Sequence, residues 1–308
     1  MQPRQRLFCA FAIALIVGAA SLVYRVLDRD AINDLYFPLC GGAAVLQGID
    51  PYGGSCEILY QGKVFPPNPL TTVLVAVPFA PLGLFGSALL WACGTGLLVY
   101  GLLKDGEWWR LLVLVSGPYW QAFLTHQWSP LILAVALLPG LLPLAMVKPQ
   151  TGLPVILTNL TWRRALACAA FLLLTFVLDP TWPLRWLPQT QTYNGYVPLL
   201  ALPVGLLLPL VLIRWREKHA QFLFLMSIVP QRGLYDLLSL WSVVENRRQL
   251  VVLNLLSWAL FGLAFFFPQL PFPVLSVTLI HLPLVLYTLR EPIGNAIQGR
   301  RRAAGQAQ

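Results

Sequence analysis

Charged residues are absent from most of this chain and are confined to short groups between long apolar segments. Only 11% of its 308 residues are charged, 57% are apolar, and the mean hydropathy is +0.69. Soluble domains carry about 25% charged residues, so this composition excludes an ordinary soluble fold, a disordered chain and a small disulfide scaffold. The composition predicts an all-α polytopic membrane protein, and at about 20 residues per crossing plus short loops the length allows about nine to twelve helices.

The net charge of +9 would suit a nucleic-acid-binding protein only if the basic residues lined one surface. They lie instead between the apolar segments, as the positive-inside rule requires. We therefore expect membrane lipids, and no nucleic acid, among the partners. One threading of the chain brings these basic groups to the cytoplasmic side: Lys104 and Arg110, Arg163 and Arg164, Arg214, Arg216 and Lys218, Arg247 and Arg248, Arg290, and the terminal Arg300, Arg301 and Arg302.

The first apolar segment, residues 7–27, follows Arg4 and Arg6. A basic start and small residues also suit a signal peptide, but the segment is long enough to span and many more follow. We interpret it as an uncleaved helix whose N-terminus lies in the cytoplasm.

Prolines divide the later apolar segments. Residues 69–103 give either two crossings or a re-entrant segment over 69–82 followed by one crossing, and the threading favours the second. Several other segments are too short to cross a core of about 30 Å, which predicts broken or half helices and about 10 to 12 transmembrane or half-spanning helices in all. These segments are 111–125, 128–139, 140–148, 150–162, 165–178, 197–213, 220–230, 236–244, 250–267 and 273–289.

Residues 28–68 are the least apolar part of the chain. Their five acidic and two basic residues give a charge of −3, which fits the non-cytoplasmic side. We predict one transmembrane domain over residues 1–292, with an external loop and re-entrant segment over 28–82, and a disordered cytoplasmic tail over 293–308. The threading also places outside the turn at 126–127, the vicinity of Lys148, and residues 179–196 and 230–236.

The five cysteines have no metal-ligand spacing. Cys9, Cys93 and Cys168 lie in apolar segments, where they are expected to pack. Cys40 and Cys56 share the first external loop, so a disulfide between them is an option if that loop faces an oxidising compartment.

Ionisable residues that interrupt apolar segments are candidates for function, because each costs about 2.5–3.5 kcal/mol to insert at membrane depth. Lys148 stands directly before the helix-breaking Pro149, Arg232 and Asp236 follow another proline, and His126 and Gln127 occupy an outer turn. Alternatively, Lys148 reaches an interface and Arg232 pairs with Asp236 at a short loop.

The first external loop contains the sequence DLYFPLCGGAAVLQG, which begins at Asp34. It predicts a short helix that ends at Gly48, followed by a turn at Asp50 and Pro51. Asp34 could be a helix cap and nothing more.

The order of these motifs resembles glycosyltransferase family 87, a family of bacterial membrane enzymes in the GT-C superfamily that use polyprenyl-phosphate-linked mannose or a similar sugar. The resemblance covers roughly residues 30–245. Its motifs are DLYFPLCGGAAVLQGIDPY, FPPNPLTTVLVAVPFAPLG, HQWSPLILAVAL, LAMVKPQTGLPVIL and IVPQRGLYDLLSLW.

The resemblance implies Asp34 as the catalytic base. The other positions that match the family are Tyr36, Asp50, Tyr52, Pro66, Pro67, Gln127, Lys148 and Asp236. Of these, Tyr36, Asp50, Tyr52, Gln127, Lys148 and Asp236 are predicted to bind substrate, together with His126, Gln150 and Arg232. His126 stands where the family pattern has Gly, and the chain is shorter than most members and lacks their basic loop near 139–140. A divergent substrate or a loss of activity would fit these departures.

The expected reaction is a single inverting displacement, in which Asp34 takes the acceptor proton and Lys148, with Arg232, balances charge on the departing polyprenyl phosphate. We expect a hexosyltransferase that moves mannose to a lipid or glycan acceptor on the outer face of a bacterial plasma membrane. No cofactor is implied. No motif compels a divalent metal, although Asp34 and Asp50 could approach one another. The rival hypotheses are a transporter or lipid flippase and a catalytically inactive partner protein.

Overall fold

The computed structural model describes residues 2–28, 33–52, 68–192 and 194–290, and most of these residues are helical. They contain no β-strand, only an isolated antiparallel bridge between Tyr196 and Gln231. The predicted all-α class is confirmed. Cys56, Pro66, Pro67 and the predicted tail over 293–308 lie outside the described residues.

Twelve helices are numbered here along the described chain. They are α1 (Pro3–Leu27), α2 (Tyr36–Leu46), α3 (Leu70–Ala76), α4 (Gly83–Leu102), α5 (Gly117–Thr125), α6 (Ser129–Leu137), α7 (Pro149–Asn159), α8 (Trp162–Leu178), α9 (Trp182–Trp186), α10 (Lys218–Ile228), α11 (Arg247–Phe266) and α12 (Phe272–Arg290). A π-helical segment, Val277–His281, lies within α12.

Seven 3₁₀ helices lie between them in the described residues. Their bounds are Val77–Leu82, Trp108–Val115, Pro139–Val147, Leu187–Thr192, Pro198–Leu200, Val204–Arg214 and Leu234–Val243. Proline explains several of these breaks: Pro81, Pro143 and Pro209 lie inside 3₁₀ helices, where they lack the N–H that an α-helix would use.

Four helical segments of the described chain are long and apolar enough to cross a membrane: Pro3–Leu27, Leu70–Leu102, Arg247–Phe266 and Phe272–Arg290. A fifth is added if α8 and the segment Trp182–Gln191, which bend by 83°, count as one span. These helices are compatible with a multi-pass integral membrane protein. The other predicted spans are helices too short to be counted this way. Residues 69–103 give one candidate span, as the threading favoured.

The first helix packs along α4 through small residues. A Cβ atom at Gly18 would lie 2.9 Å from the Cβ of Ala92, and one at Gly96 would lie 3.1 Å from the Cβ of Ala14. Small residues let two helix backbones approach closely, which is a common way for membrane helices to associate.

The centre of the molecule is formed by α6 and the 3₁₀ helix Leu234–Val243. Nearly all of their side chains are buried, and the two elements pack against each other. Helix α4 covers α6, and α5 covers the 3₁₀ helix. The turns that precede α6 and Leu234 are thereby held at the same end of the bundle, where the polar residues collect.

Groups that the threading placed on one side contact one another. Arg6 donates from Nε to the carbonyl of Tyr100 at 2.5 Å, and Arg214 donates from Nη1 to the carbonyl of Thr288 at 2.7 Å. All four belong to the end predicted to be cytoplasmic. The candidate site lies among the residues that the threading placed outside.

Candidate functional site

Four polar side chains from distant parts of the chain form a continuous chain of contacts. Gln127 donates from Nε2 to Oδ2 of Asp34, and its Oε1 accepts a 3.0 Å hydrogen bond from Nζ of Lys148. The same Nζ lies 2.5 Å from Oδ1 of Asp236. The structure therefore joins Asp34 to Asp236 through Gln127 and Lys148.

Each of these residues lies where a helix is interrupted. Asp34 precedes α2, Gln127 lies between α5 and α6, Lys148 directly precedes α7, and Asp236 is in the first turn of a 3₁₀ helix. Pro149 disfavours helical geometry at the residue before it, and Lys148 accordingly has φ −138° and ψ 82°. The proline thus turns the Lys148 side chain away from the helical course of its neighbours.

Asp34 is not a helix cap. Helix α2 begins at Tyr36 with no side-chain cap from Leu35, and it is Asn33 whose Oδ1 accepts a 3.1 Å hydrogen bond from the Leu35 N–H. The Asp34 N–H donates to the carbonyl of Thr125 at 3.0 Å. The carboxylate is thereby left to face Gln127. The predicted helix and its end at Gly48, which has φ 68°, are confirmed.

Burial raises the pKa of the half-buried Asp34 carboxyl above its ordinary value of 3.8. The charge of Lys148, the Gln127 hydrogen bond and the charge of Arg232 each oppose this shift, and the charge of Asp236 adds to it. Since desolvation is the largest effect, Asp34 is a stronger base than an exposed aspartate.

Lys148 is enclosed by protein groups. Besides Gln127 and Asp236, its Nζ lies 4.5 Å from the centroid of the Tyr235 ring, and the Tyr235 N–H donates to Oε1 of Gln121 at 2.8 Å. Its side chain is 10% exposed and that of Asp236 is fully buried. The alternative in which Lys148 reaches an interface does not describe this residue.

Arg232 is placed differently. Its backbone N–H donates to Oδ2 of Asp236 at 2.8 Å, but the ion-pair partner of Asp236 is Lys148. The alternative in which Arg232 forms an ion pair with Asp236 therefore does not describe these side chains. The Arg232 side chain is exposed and makes no hydrogen bond or ion pair with the described residues, although its charge reaches Asp34.

His126 is fully buried and has a left-handed backbone, with φ 49° and ψ 63°. That conformation costs a residue with a Cβ roughly 1–2 kcal/mol. Its Nε2 accepts from Nε of Arg25 at 3.4 Å and from the Ser21 hydroxyl at 2.6 Å, so its Nδ1 carries the proton and donates to Oγ of Ser87 at 2.8 Å. Burial, with the charge of Arg25, lowers the pKa of His126 to about 3. The ring is neutral, and both of its nitrogens are occupied by the protein.

Asp50 and Tyr52 belong to a second polar cluster. Arg185 forms ion pairs with Asp50, at 2.5 Å, and with Asp179. The buried Tyr52 donates from its N–H to Oδ1 of Asp50 at 2.9 Å and from its hydroxyl to the carbonyl of Asn68 at 3.2 Å. This cluster joins the first external loop to α9 and to the turn before it at Asp179. It engages Asp50 separately from the contacts of Asp34.

The remaining predicted site residues are peripheral. Tyr36 is half-buried in the first turn of α2. Gln150 is half-buried in the first turn of α7 and makes no hydrogen bond with the described residues. Cys40 is disulfide-bonded, whereas Cys9, Cys93 and Cys168 are free. Over the described ranges, no three His, Cys, Asp or Glu side chains gather closely enough to hold a metal ion.

Sequence reasoning missed Ser21, Arg25 and Ser87 as contributors to the site, and Arg185 as the link between the loops. Arg25 carried a usable signal, because it is a charged residue at the end of an apolar span. The two serines carried none, because a serine in an apolar helix usually hydrogen-bonds to its own backbone.

An apolar cavity of about 160 Å³ lies beside Gln127, one of the four polar residues in contact at the candidate site. It lies between α4, α6 and the α3 segment, and both Leu35 and Gln127 reach its wall. Trp91 and Trp128 also line it, and their buried indole N–H groups have no hydrogen-bond partner among the described residues. The cavity therefore has an almost entirely apolar wall, with Gln127 among its lining residues.

Comparisons of this chain with family models, with curated proteins and with solved structures find no match.

Proposed function

We propose that this chain is a membrane glycosyltransferase of the GT-C type that moves a hexose, mannose by its resemblance, from a polyprenyl phosphate to a lipid or glycan acceptor on the non-cytoplasmic face. One observation carries the proposal. Asp34, Gln127, Lys148 and Asp236, which belong to four separate motifs of the family 87 resemblance, meet in one chain of contacts.

The chemistry requires one base. Asp34 accepts the proton of the acceptor hydroxyl, whose oxygen forms a bond to the anomeric carbon of the sugar. The bond from that carbon to the phosphate oxygen breaks, and its electron pair leaves with the polyprenyl phosphate. Since the phosphate is a good leaving group, no acid is needed, unlike glycoside hydrolysis, where two carboxylates flank the bond. The raised pKa of Asp34 suits this role.

The leaving phosphate needs a cation, and two are near. Lys148 already faces Asp236 at 2.5 Å, so a phosphate at its Nζ would compete with a fully buried carboxylate. The guanidinium of Arg232 is exposed and can form paired hydrogen bonds with phosphate oxygens. Arg232 therefore binds the departing phosphate, while Lys148 orients Gln127 and supplies positive potential to Asp34.

The apolar cavity suits the beginning of the lipid chain. A dry apolar cavity of about 150 Å³ can hold benzene, so this one has room for a branched five-carbon unit. Its wall includes Gln127, which contacts Asp34. A lipid bound in the cavity would therefore keep its head group beside these two polar residues.

The test is transfer by purified protein in proteoliposomes supplied with radiolabelled polyprenyl-phosphate mannose and membrane lipid extract as acceptor. A positioned base contributes about 10²–10⁴-fold, so Asp34→Asn should lose most of the transfer. Asp28→Asn, the same change at an exposed carboxylate beyond the end of α1, is the matched control.

Equal transfer by Asp34→Asn and wild type would show that Asp34 is not the base. If the wild type instead moved solute or lipid across the vesicle membrane without any labelled product, the chain would be a transporter or flippase. An inert protein that copurifies with an active enzyme would be a partner protein.

A further inference from the structure

The turn that carries Gln127 is held at four successive residues. Arg25 donates from Nη2 to the carbonyl of Leu124 at 2.5 Å, and Asp34 donates its N–H to the carbonyl of Thr125 at 3.0 Å. The ring of His126 is bonded at both nitrogens, and Gln127 contacts Asp34 and Lys148. A turn so fully held has one available geometry.

We propose that His126 is a positioning residue that locks this turn and thereby aims Gln127 and the Asp34 carboxylate. This inference rests on the proposed function and adds a role that the motifs did not indicate. His126 itself touches no substrate, because it is fully buried and both ring nitrogens are occupied.

Ser87 on α4 connects His126 by hydrogen bonds to Asn33, the residue before the proposed base Asp34. Its hydroxyl accepts the Nδ1 proton of His126 and exchanges hydrogen bonds with the Asn33 amide at 2.9 and 3.2 Å. Asn33 directly precedes Asp34, and its Oδ1 also fixes the Leu35 N–H. One imidazole therefore restrains the backbone on both sides of the Asp34–Gln127 contact.

The left-handed backbone explains why this position differs from others in the turn. A glycine adopts φ 49° without a steric cost. Histidine adopts it at a cost but adds bonds to Ser21, Arg25 and Ser87. The His126 ring thus adds side-chain restraints to a backbone conformation that a glycine would adopt at no steric cost.

The decisive variant is His126→Gly, which keeps the left-handed turn and removes only the ring. We expect kcat for transfer to fall about 10- to 100-fold with KM for the donor changed less than about twofold, since misplacing a reacting group costs rate. Ser87→Ala should act in the same direction. Ser129→Ala is the control, because Ser129 is equally buried but its hydroxyl has no partner among the described residues.

A second readout does not depend on activity. The carboxyl stretch of protonated Asp34, assigned by infrared difference against Asp34→Asn, reports the pKa of that carboxyl. In His126→Gly the loosened turn admits water, so this pKa should fall towards its ordinary value. The charged groups that act on it are Lys148, Arg232, Asp236 and Arg25, and none is altered by the variant.

The outcomes distinguish failure of the His126 proposal from failure of the glycosyltransferase proposal. If wild-type protein transfers no sugar but the pKa of Asp34 moves in His126→Gly, the lock stands and the glycosyltransferase proposal fails. If transfer occurs and His126→Gly leaves kcat and the pKa of Asp34 unchanged, the lock is overturned. A lower yield of folded protein with an unchanged pKa of Asp34 would overturn it too, because it would show a structural role only.

Discussion

Nζ of Lys148 lies 2.5 Å from Oδ1 of Asp236, a carboxylate with no exposed side-chain surface. The second oxygen of that carboxylate is held by the Arg232 N–H at 2.8 Å. Residues from two separate motifs thus neutralise each other inside the protein. Removing two charges from water is costly, so such a pair adds little net stability. Replacing only one member is strongly destabilising, because it leaves the other charge buried without a partner.

Lys148→Met should therefore destabilise the protein by about 3–5 kcal/mol, because it leaves Asp236 buried without a counter-charge. The double variant Lys148→Met with Asp236→Leu should recover most of that loss. Reversible denaturant unfolding in detergent measures both, and Lys104→Met, at an exposed lysine, is the control. Full stability of the single variant would show that the pair does not form.

Replacing the exposed Arg232 should weaken phosphate binding and leave the stability of the protein almost unchanged. Arg232→Gln removes no buried contact, so its stability should lie within about 0.5 kcal/mol of wild type. Hydrogen bonds to charged groups contribute about 1.5–3 kcal/mol, so the affinity for polyprenyl phosphate should fall roughly 10- to 100-fold.

Quenching of tryptophan fluorescence by polyprenyl phosphate in nanodiscs measures that affinity. Arg216→Gln, an exposed arginine in the basic group assigned to the cytoplasmic side, is the matched control. Unchanged binding by Arg232→Gln would remove Arg232 from the phosphate site.

Much of this arrangement was predictable because the sidedness of a membrane chain follows from its basic residues. The threading placed Asp34, Gln127, Lys148 and Asp236 on one side, and the structure brings them into contact. The short helix after Asp34 followed from local turn chemistry at Gly48.

The partners of each charge were not predictable. A pair between Arg232 and Asp236 was one alternative that the sequence left open, but in the folded protein Lys148 is the ion-pair partner of that carboxylate. The left-handed conformation of His126 likewise depends on Ser21, Arg25 and Ser87, which α1 and α4 bring from far along the chain. Such contacts are set by tertiary packing, which no local pattern contains.

The burial of Asp34 predicts the pH dependence of transfer. The carboxylate is the working form of a base, so activity is present above its pKa and is lost as the pH falls through it. Because burial raises that pKa, the acidic limb should lie above the ordinary value of 3.8. Initial rates at limiting donor, measured across pH in proteoliposomes, locate the limb.

Lys148 provides a second test of the titrating group, because its positive charge lowers the pKa of Asp34. Lys148→Met should move the acidic limb to higher pH in whatever fraction of the protein remains folded. A limb at the position of an exposed aspartate, unmoved in that variant, would argue against Asp34 as the titrating group.

The proposed binding of the lipid chain in the apolar cavity predicts that filling this cavity weakens binding of the polyprenyl donor. Gly94 lies in its wall, and a Cβ there would have an ordinary 3.6 Å contact with the Cβ of Leu131. Gly94→Leu should therefore add side-chain volume at the wall of the cavity. We expect KM for the polyprenyl donor to rise at least about tenfold, the cost of losing roughly two buried CH₂ groups. Gly140→Leu is the control, because a side chain at the exposed Gly140 would meet nothing within 4 Å. If both variants kept the wild-type KM, the lipid chain would bind elsewhere.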